Sequence, residues 1–513
     1  MSTFAPTAPS RAPGTATAGP REWFALAVLM LPVLLVSVDN TVLAFALPSI
    51  SAALGPSGSQ QLWIIDIYPL VLAGLLVSMG SMGDRFGRRR LLLLGATGFA
   101  AVSVFAAYAP SAEMLIASRA ALGFFGAMLM PSTLSLLRNI FVDATQRRLA
   151  IAVWAACFAA GAALGPIVGG FLLEHYWWGS VFLLAVPVLI PLLILAPIFV
   201  PESRDPNPGR IDPVSIALSL TALAPLVFAI KNVAKDGSAA SIVVPAVVGL
   251  VATALFVRRQ LRRPDPMLDV RLFTVPTFSG AVVVNLLSVF SLVGFLFFVS
   301  QHLQLVIGQR PMQAGLSLVP GLLVMVVAGL SVVPLVRRIA PVTIVVTALL
   351  LSALGYVAVL VFATPDAVAP ILVAFAVLGA GIGAAETISN DLIVSSVPPQ
   401  KAGAASAVSE TAYELGAVLG TAVLGTILTA SYRSHLVVPD GIGTEAAEAA
   451  GETLGGAHHV AETLPPELGA ALLESAGSAF DTGVGVTSGI GAALMVVAAG
   501  LAFVTLRTRR TMP

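Results

Sequence analysis

Long apolar runs alternate with short polar or charged punctuation along almost the whole chain. Runs of 18 or more apolar residues are the mark of membrane-crossing helices, and their ends divide the chain into fourteen spans. These cover 24–51, 61–80, 91–109, 112–138, 147–173, 179–200, 213–231, 241–257, 276–303, 313–336, 341–363, 368–396, 402–432 and 483–506. The pattern predicts an all-α polytopic membrane protein. A membrane β-barrel is excluded, because its strands read as short alternating segments. The first 22 residues are rich in Ala, Pro, Ser and Thr and predict a disordered tail. The apolar run after them is too long for the core of a cleaved signal peptide.

Composition sharpens this picture. The 513 residues are 57% hydrophobic and 10% charged, too little charge to cover a soluble protein of this size. A net charge of +1 gives no footprint for nucleic acid, and a single cysteine, Cys157, rules out an intramolecular disulfide. With the amino terminus inside, 22 of the 27 Lys and Arg fall in cytoplasmic segments. Only Lys231, Lys235, Arg310 and Arg433 fall outside, with Arg119 inside a span. One helix more or fewer would invert every later loop, so an even count with both termini cytoplasmic is expected. The long external segment 433–481 is acidic and Ala-rich, predicting two short helices broken at Pro465-Pro466. It reads as a solvated hairpin or as an acidic cap that concentrates cations.

Six carboxylates sit inside apolar spans: Asp39, Asp66, Glu386, Asp391, Glu410 and Glu414. Inserting an ionised carboxylate costs about 2.5–3.5 kcal/mol at mid-bilayer, so such residues mark sites for protons or cations. Helical rise places Asp66 roughly 8 Å and Arg119 roughly 10 Å from the outer side, with Asp39 at a similar level, so the three can form one cluster. Glu410 and Glu414 are one turn apart on one face of span thirteen, near the midplane. Trp63 and Tyr413 stand beside acids and can offer ring faces to a cation, although Trp63 also suits an interfacial anchor. Asp391 reads as a solvated helix-end residue, and Glu386 either as part of the cation site or as a hydrogen-bonded pair with Asn390. Histidines 302, 435, 458 and 459 show no metal-ligand spacing. There is no phosphate-binding loop motif, so neither a cofactor nor nucleotide drive is expected.

Specific motifs narrow the class. Residues 80–90 read GSMGDRFGRRR, in which Gly80, Asp84, Arg85, Gly87 and Arg88 form a G-x-x-x-D-R-x-G-R pattern between spans two and three. The chain here resembles the major facilitator superfamily. Span four carries Ile116 to Gly123 around Arg119, similar to that family's fourth-helix motif. Span five carries Gly161, Gly165, Pro166, Gly169 and Gly170, similar to its antiporter motif. Asp39-Asn40-Thr41, the Gln61–Tyr68 stretch, Asp265–Phe273 and Glu410–Gly416 resemble fourteen-span drug:proton antiporters of the QacA and LfrA type. Met325 stands where the quaternary-ammonium pump of that type carries a further acid in the tenth helix, so the resemblance there does not imply broad recognition of divalent cations.

The resemblance implies a fold of two six-helix bundles plus two extra helices. The expected divisions are the tail 1–22, a bundle over 23–200, a linker with two extra helices over 201–273, a bundle over 274–507 that includes the loop 433–482, and a tail over 508–513. It implies proton-driven export of lipophilic cations, such as quaternary ammonium biocides and dyes and also fluoroquinolones, from a monomer in the bacterial cytoplasmic membrane. Asp39 and Arg119 are assigned to proton coupling. Asp66, Trp63, Glu386, Glu410, Tyr413 and Glu414 are assigned to cargo binding, and the Gly80–Arg88 and Gly161–Gly170 motifs to gating. The extra helices, which carry no central acid, are expected at the edge of the bundle. Export of a self-made antibiotic or lipid, or a receptor role without transport, would fit the same spans.

Overall fold

The computed structural model describes residues 18–204, 212–233, 238–263, 266, 268–362, 368–397 and 402–507. Residues 1–17 of the expected tail 1–22, Arg210, Lys235, Asp265, Lys401 and residues 508–513 lie outside them, whereas the last residues of that expected tail open the first helix at Pro20. The described residues hold helices and no strand. Thirteen helices are long and apolar enough to cross a membrane by the composition of their described residues. A further helix, α5 (Ala144–His175), packs between α1 and α11 and completes fourteen.

Spans one to four are α1 (Pro20–Leu54), α2 (Gly58–Phe86), α3 (Arg88–Ala107) and α4 (Ala112–Ile140). Span six is divided at Leu184 into α6 (Ser180–Leu183) and α7 (Ala185–Phe199). The two extra spans are α8 (Pro213–Val233) and α9 (Ala239–Arg262). The second half comprises α10 (Pro276–Gln301), α11 (Pro311–Leu335), α12 (Pro341–Phe362), α13 (Val368–Ser395) and α14 (Ala402–Gly420). A π-bulge at Thr421–Gly425 joins α14 to α15 (Thr426–His435), and together they make span thirteen.

The acidic segment folds as α16 (Thr444–Glu452) and α17 (Leu454–Thr463). The two short helices are broken from one another at Thr453 rather than at the expected Pro465-Pro466, which instead separates them from a further stretch that is helical and forms no loop. Pro466, pre-set for a first helical position, starts α18 (Pro466–Leu506), which runs unbroken for 41 residues. The last span therefore projects well beyond its apolar stretch and supports the α16–α17 hairpin. We call this the hairpin end of the molecule and the opposite face, where the described residues begin and end, the terminal end.

Two main hydrophobic cores form, one from α1–α7, the other mainly from α10–α15 and α18. At the hairpin end the two halves touch directly. Ser300 Oγ donates to the Ala44 carbonyl at 2.9 Å and Gln304 Nε2 to that of Phe45 at 3.2 Å. A Cβ on Gly315 of α11 would lie 2.3 Å from the Pro166 carbonyl oxygen, and one on Gly170 of α5 only 2.6 Å from Met312 Cα. The hairpin adds a clasp: Glu452 meets Arg433 at 3.3 Å and accepts from the Gly58 amide at 3.2 Å. The seam is thus closed at this end.

The motif at 80–90 turns the chain between α2 and α3. Gly87 has φ +113, a conformation L side chains rarely adopt. Arg88 donates to Asp84 at 2.6 Å and to Ser203 Oγ at 3.0 Å. The Glu202 carboxylate, beyond α7, accepts from the Arg89 amide at 3.1 Å and the Arg90 amide at 3.3 Å. An anion there satisfies the orphan donors at the start of α3. Arg85 is exposed, and Gly80 passes Pro131 of α4 at ordinary contact distance. Gly87→Ala should destabilise the fold by about 1–3 kcal/mol from backbone strain alone. Its Cβ would also lie 2.8 Å from Glu202 Oε1. A lowered melting temperature in detergent checks this, and an unchanged one would refute it.

Candidate transport site

Three glycines of α5 place the first functional helix. Cβ atoms on Gly161, Gly165 and Gly169 would collide with Ser37, Thr41 and Val42 of α1, so only glycine allows this approach. Close packing holds the opposite face of α1, which carries Asp39 and Asn40, in fixed register.

Asp39 accepts from Arg119 Nη1 of α4 at 2.6 Å. Arg119 is 1% exposed, and its Nε donates to the Ile64 carbonyl of α2 at 3.1 Å. The guanidinium also lies 4.5 Å from the Tyr68 ring centroid. A buried cation thus has three partners, one from α1 and two from a single face of α2. A small void of about 10 Å³ lies against Asp39, between α1, α3 and α6–α7, with Phe99 and Ser103 in its wall. That is roughly the space of one water.

Asp66 does not join this cluster, contrary to its sequence-based placement. Ile64 and Tyr68 are one turn apart and face α4, whereas Asp66 between them points about 200° from either. Its carboxylate instead meets Lys231 Nζ of α8 at 2.8 Å, with both side chains almost wholly buried. Lys231 Nζ lies 3.9 Å from the Trp63 ring centroid, and the Thr421 hydroxyl of the π-bulge faces the carboxylate. Lys231 is therefore not a residue of an external loop. Helix α8 lies mostly exposed at the bundle's edge, but one stripe of it packs inward, Val227 clustering with Leu70 of α2 and Val418 and Ala422 of span thirteen. The edge placement holds also for α9, which is largely exposed.

The second half contributes Glu386 from α13 and Glu410, Tyr413 and Glu414 from α14. Glu414 is 5% exposed, faces the Asn40 amide across the seam, and is near enough to Asp39 and Glu410 for their charges to repel. Glu410 stands one turn nearer the terminal end, half-buried, within electrostatic reach of Arg138. Tyr413 is flanked by Glu386 and Glu414 and packs edge-on against Phe158 of α5, centroids 5.6 Å apart. Glu386 does not pair with Asn390, whose amide oxygen accepts from Ser409 Oγ at 3.0 Å. Ser409 in turn accepts from Asn285 at 2.9 Å. Asp391 is exposed, and Met325 fills the tight crossing of α11 with Gly379 and Gly383 of α13.

The acids thus fall into two groups. Asp39, Glu386, Glu410 and Glu414 line the seam with Asn40 and Tyr413, while Asp66 is neutralised at its flank. Outside the spans, Asp212 ties α8 to α9, accepting from Arg259 at 2.8 Å and meeting Arg263 at 2.9 Å. The Arg259 guanidinium holds its carboxyl well below the usual carboxylate range, helped by Ser215. No cluster of three or more His, Cys, Asp or Glu suited to a metal exists among the described residues.

Fourteen spans, two cores and buried acids along the seam between them define a polytopic membrane transporter. The chain belongs to the Major Facilitator Superfamily, whose family model matches residues 29–421. It is 58% identical to the multidrug efflux pump LfrA of Mycolicibacterium smegmatis, over 96% of this chain and 98% of that one. It is 36% identical to the methyl viologen resistance protein SmvA of Salmonella typhimurium, over 96% and 99%. It is 32% identical to the tetracenomycin C resistance and export protein of Streptomyces glaucescens, over 94% and 92%. Among solved structures, a bacterial homologue of the human lysosomal transporter Spinster, inward-facing and unoccupied, matches with TM-score 0.64. The identity there is 19%, and the match covers 96% of this chain and 98% of that one, so it speaks for the fold.

Proposed function

We propose that the protein is a proton-driven antiporter that exports lipophilic cations across the bacterial cytoplasmic membrane. Quaternary ammonium biocides and cationic dyes are the proposed cargo, with fluoroquinolones as a further class. The hairpin end would face outward and both termini inward, with the monomer as the working unit. The observation that carries the reading is Glu414, a buried carboxylate of the second half that faces Asn40 and Asp39 of the first. Glu410, one turn away on the same helix, repels it more strongly still, and two such acids resist double ionisation, so a cargo cation and a proton are alternative ways of neutralising the pair. Competition of this kind suffices for antiport. The name of one relative supports organic cations as the cargo class, methyl viologen being a dication with two quaternary pyridinium nitrogens.

Asp39 and Arg119 are assigned to coupling. Glu386, Glu410, Tyr413 and Glu414 are assigned to cargo, with Tyr413 offering a ring face beside the acids. Such a contact is worth roughly 2 kcal/mol for a desolvated cation. Each net charge moved against 100 mV costs about 2.3 kcal/mol, which the proton gradient must supply.

Dye efflux from loaded vesicles, with and without a protonophore, tests the reading. Efflux should stop when the gradient is dissipated. Glu414→Gln should change the ranking of exported cations by about 1–2 kcal/mol, or five- to thirtyfold. Dye efflux indifferent to the protonophore would overturn the proposal. The similarity to a tetracenomycin exporter favours one competing cargo, a self-made antibiotic, and cargo-dependent proton movement in proteoliposomes separates the two.

A further inference from the structure

The ion pair between Asp66 and Lys231 has a form that a structural tie does not require. Lys231 Nζ sits 2.8 Å from the carboxylate and 3.9 Å from the indole centroid of Trp63, and the Thr421 hydroxyl faces the same acid. Asp66 is 0% and Lys231 1% exposed. Leu70, Val227, Val418 and Ala422 close the surroundings with apolar surface. An anion, an aromatic face and a dry apolar wall are what binds an organic ammonium ion. The cage is complete, and a side chain of the protein itself fills it.

Its position relates it to the seam. Glu414 and Thr421 are seven residues, two turns, apart on span thirteen, so cage and seam acids lie about 10 Å apart along the same face. Lys231 is two residues from the last residue of α8, at the hairpin end. Its four-carbon stem is flexible enough to carry the ammonium from the cage to water at that end, while the helix stays in place.

We infer that Asp66 and Trp63 form a second cation cage occupied by Lys231, and that this tethered ammonium restricts the pump to cargo with one charged centre. The inference rests on the seam acids holding the first centre. A dication reaching from Glu414 to Asp66 must displace Lys231, whereas a monocation need not. The lysine therefore acts as a built-in competitor and sets specificity from a helix that is otherwise peripheral.

Two probes test it, an alkyl trimethylammonium and the bis-trimethylammonium alkane whose nitrogens are about 10 Å apart, matching the two-turn spacing. Lys231→Met should raise efflux of the dication relative to the monocation about tenfold, equivalent to about 1.4 kcal/mol at the second centre. The gain should vanish in the Asp66→Asn/Lys231→Met double variant, which also lacks the unpaired buried acid. An unchanged ratio in the single variant, or a gain that persists in the double, overturns the inference.

The wild-type protein gives an independent readout if the single variant does not fold. The chain has only three lysines, Lys231, Lys235 and Lys401. Acetylation by a permeant active ester, quantified by mass spectrometry, should increase several-fold at Lys231 when the dication is added. Lys235 and Lys401 should not change. Equal Lys231 labelling with and without the dication would defeat the cage. Failure of the antiport reading would show differently, as absent monocation efflux in the wild type.

Discussion

Replacing Asp39 by Asn should reduce proton-driven cation efflux to the level of empty proteoliposomes while leaving cation binding in place. Asn keeps the shape and one acceptor for the Arg119 guanidinium, now 2.6 Å from the carboxylate, but cannot take up and release a proton. The wild-type geometry lets Asp39 do this without stranding Arg119. When Asp39 takes a proton, the guanidinium still has the Ile64 carbonyl at 3.1 Å and the Tyr68 ring. Removing a partner from a buried ion pair costs about 3–5 kcal/mol when nothing replaces it. These two contacts, with the Asn oxygen, should hold the loss of stability below that. Efflux driven by an imposed pH difference, read beside cation binding by fluorescence titration, separates coupling from folding. Wild-type efflux by the variant would remove Asp39 from the mechanism.

The second large effect is expected at the gate. Gly315→Leu should prevent the hairpin end from closing, because even the Cβ would lie 2.3 Å from the Pro166 carbonyl oxygen. This contact joins α5 of one half to α11 of the other, so the clash can be relieved by separating the halves and leaves each core intact. Overpacking of about 1–3 kcal/mol corresponds to a five- to 150-fold shift between two conformations. A reporter Gln304→Cys, placed where Gln304 now bonds the Phe45 carbonyl across the same seam, should react faster with an impermeant maleimide from the hairpin side. Transport should fall in parallel. Unchanged labelling with unchanged export would show that this crossing does not gate the pathway.

The helices were legible because each apolar run is bounded by glycine, proline or arginine, and the spans track those bounds closely. Asp39 with Arg119 was legible too, since both sit at one depth in apolar surroundings where an unpaired charge is untenable. Depth alone misplaced Asp66. Two residues along a helix reverse its direction, so equal depth does not put Asp66 on the same face as Tyr68. Lys231 was missed because a lysine at the end of an apolar run ordinarily reads as an anchor in the headgroups. A signal was present: Ala224, Val227 and Lys231 recur at three- and four-residue intervals, placing the ammonium on the stripe that packs against α2 and span thirteen. Which helix would receive that stripe is a tertiary fact, as is the continuation of α18 past its apolar stretch.

The central claim is that a cargo cation and a proton compete for the acids at the seam. Its most direct test is proton release on binding, measured with a pH-sensitive dye as a quaternary ammonium ion is titrated into purified protein in weakly buffered detergent. The account predicts release that saturates with cation occupancy and is diminished in Glu414→Gln and Asp39→Asn. Saturable cation binding with no proton released at any pH between about 5 and 8, where a coupled pump has to operate, would contradict it.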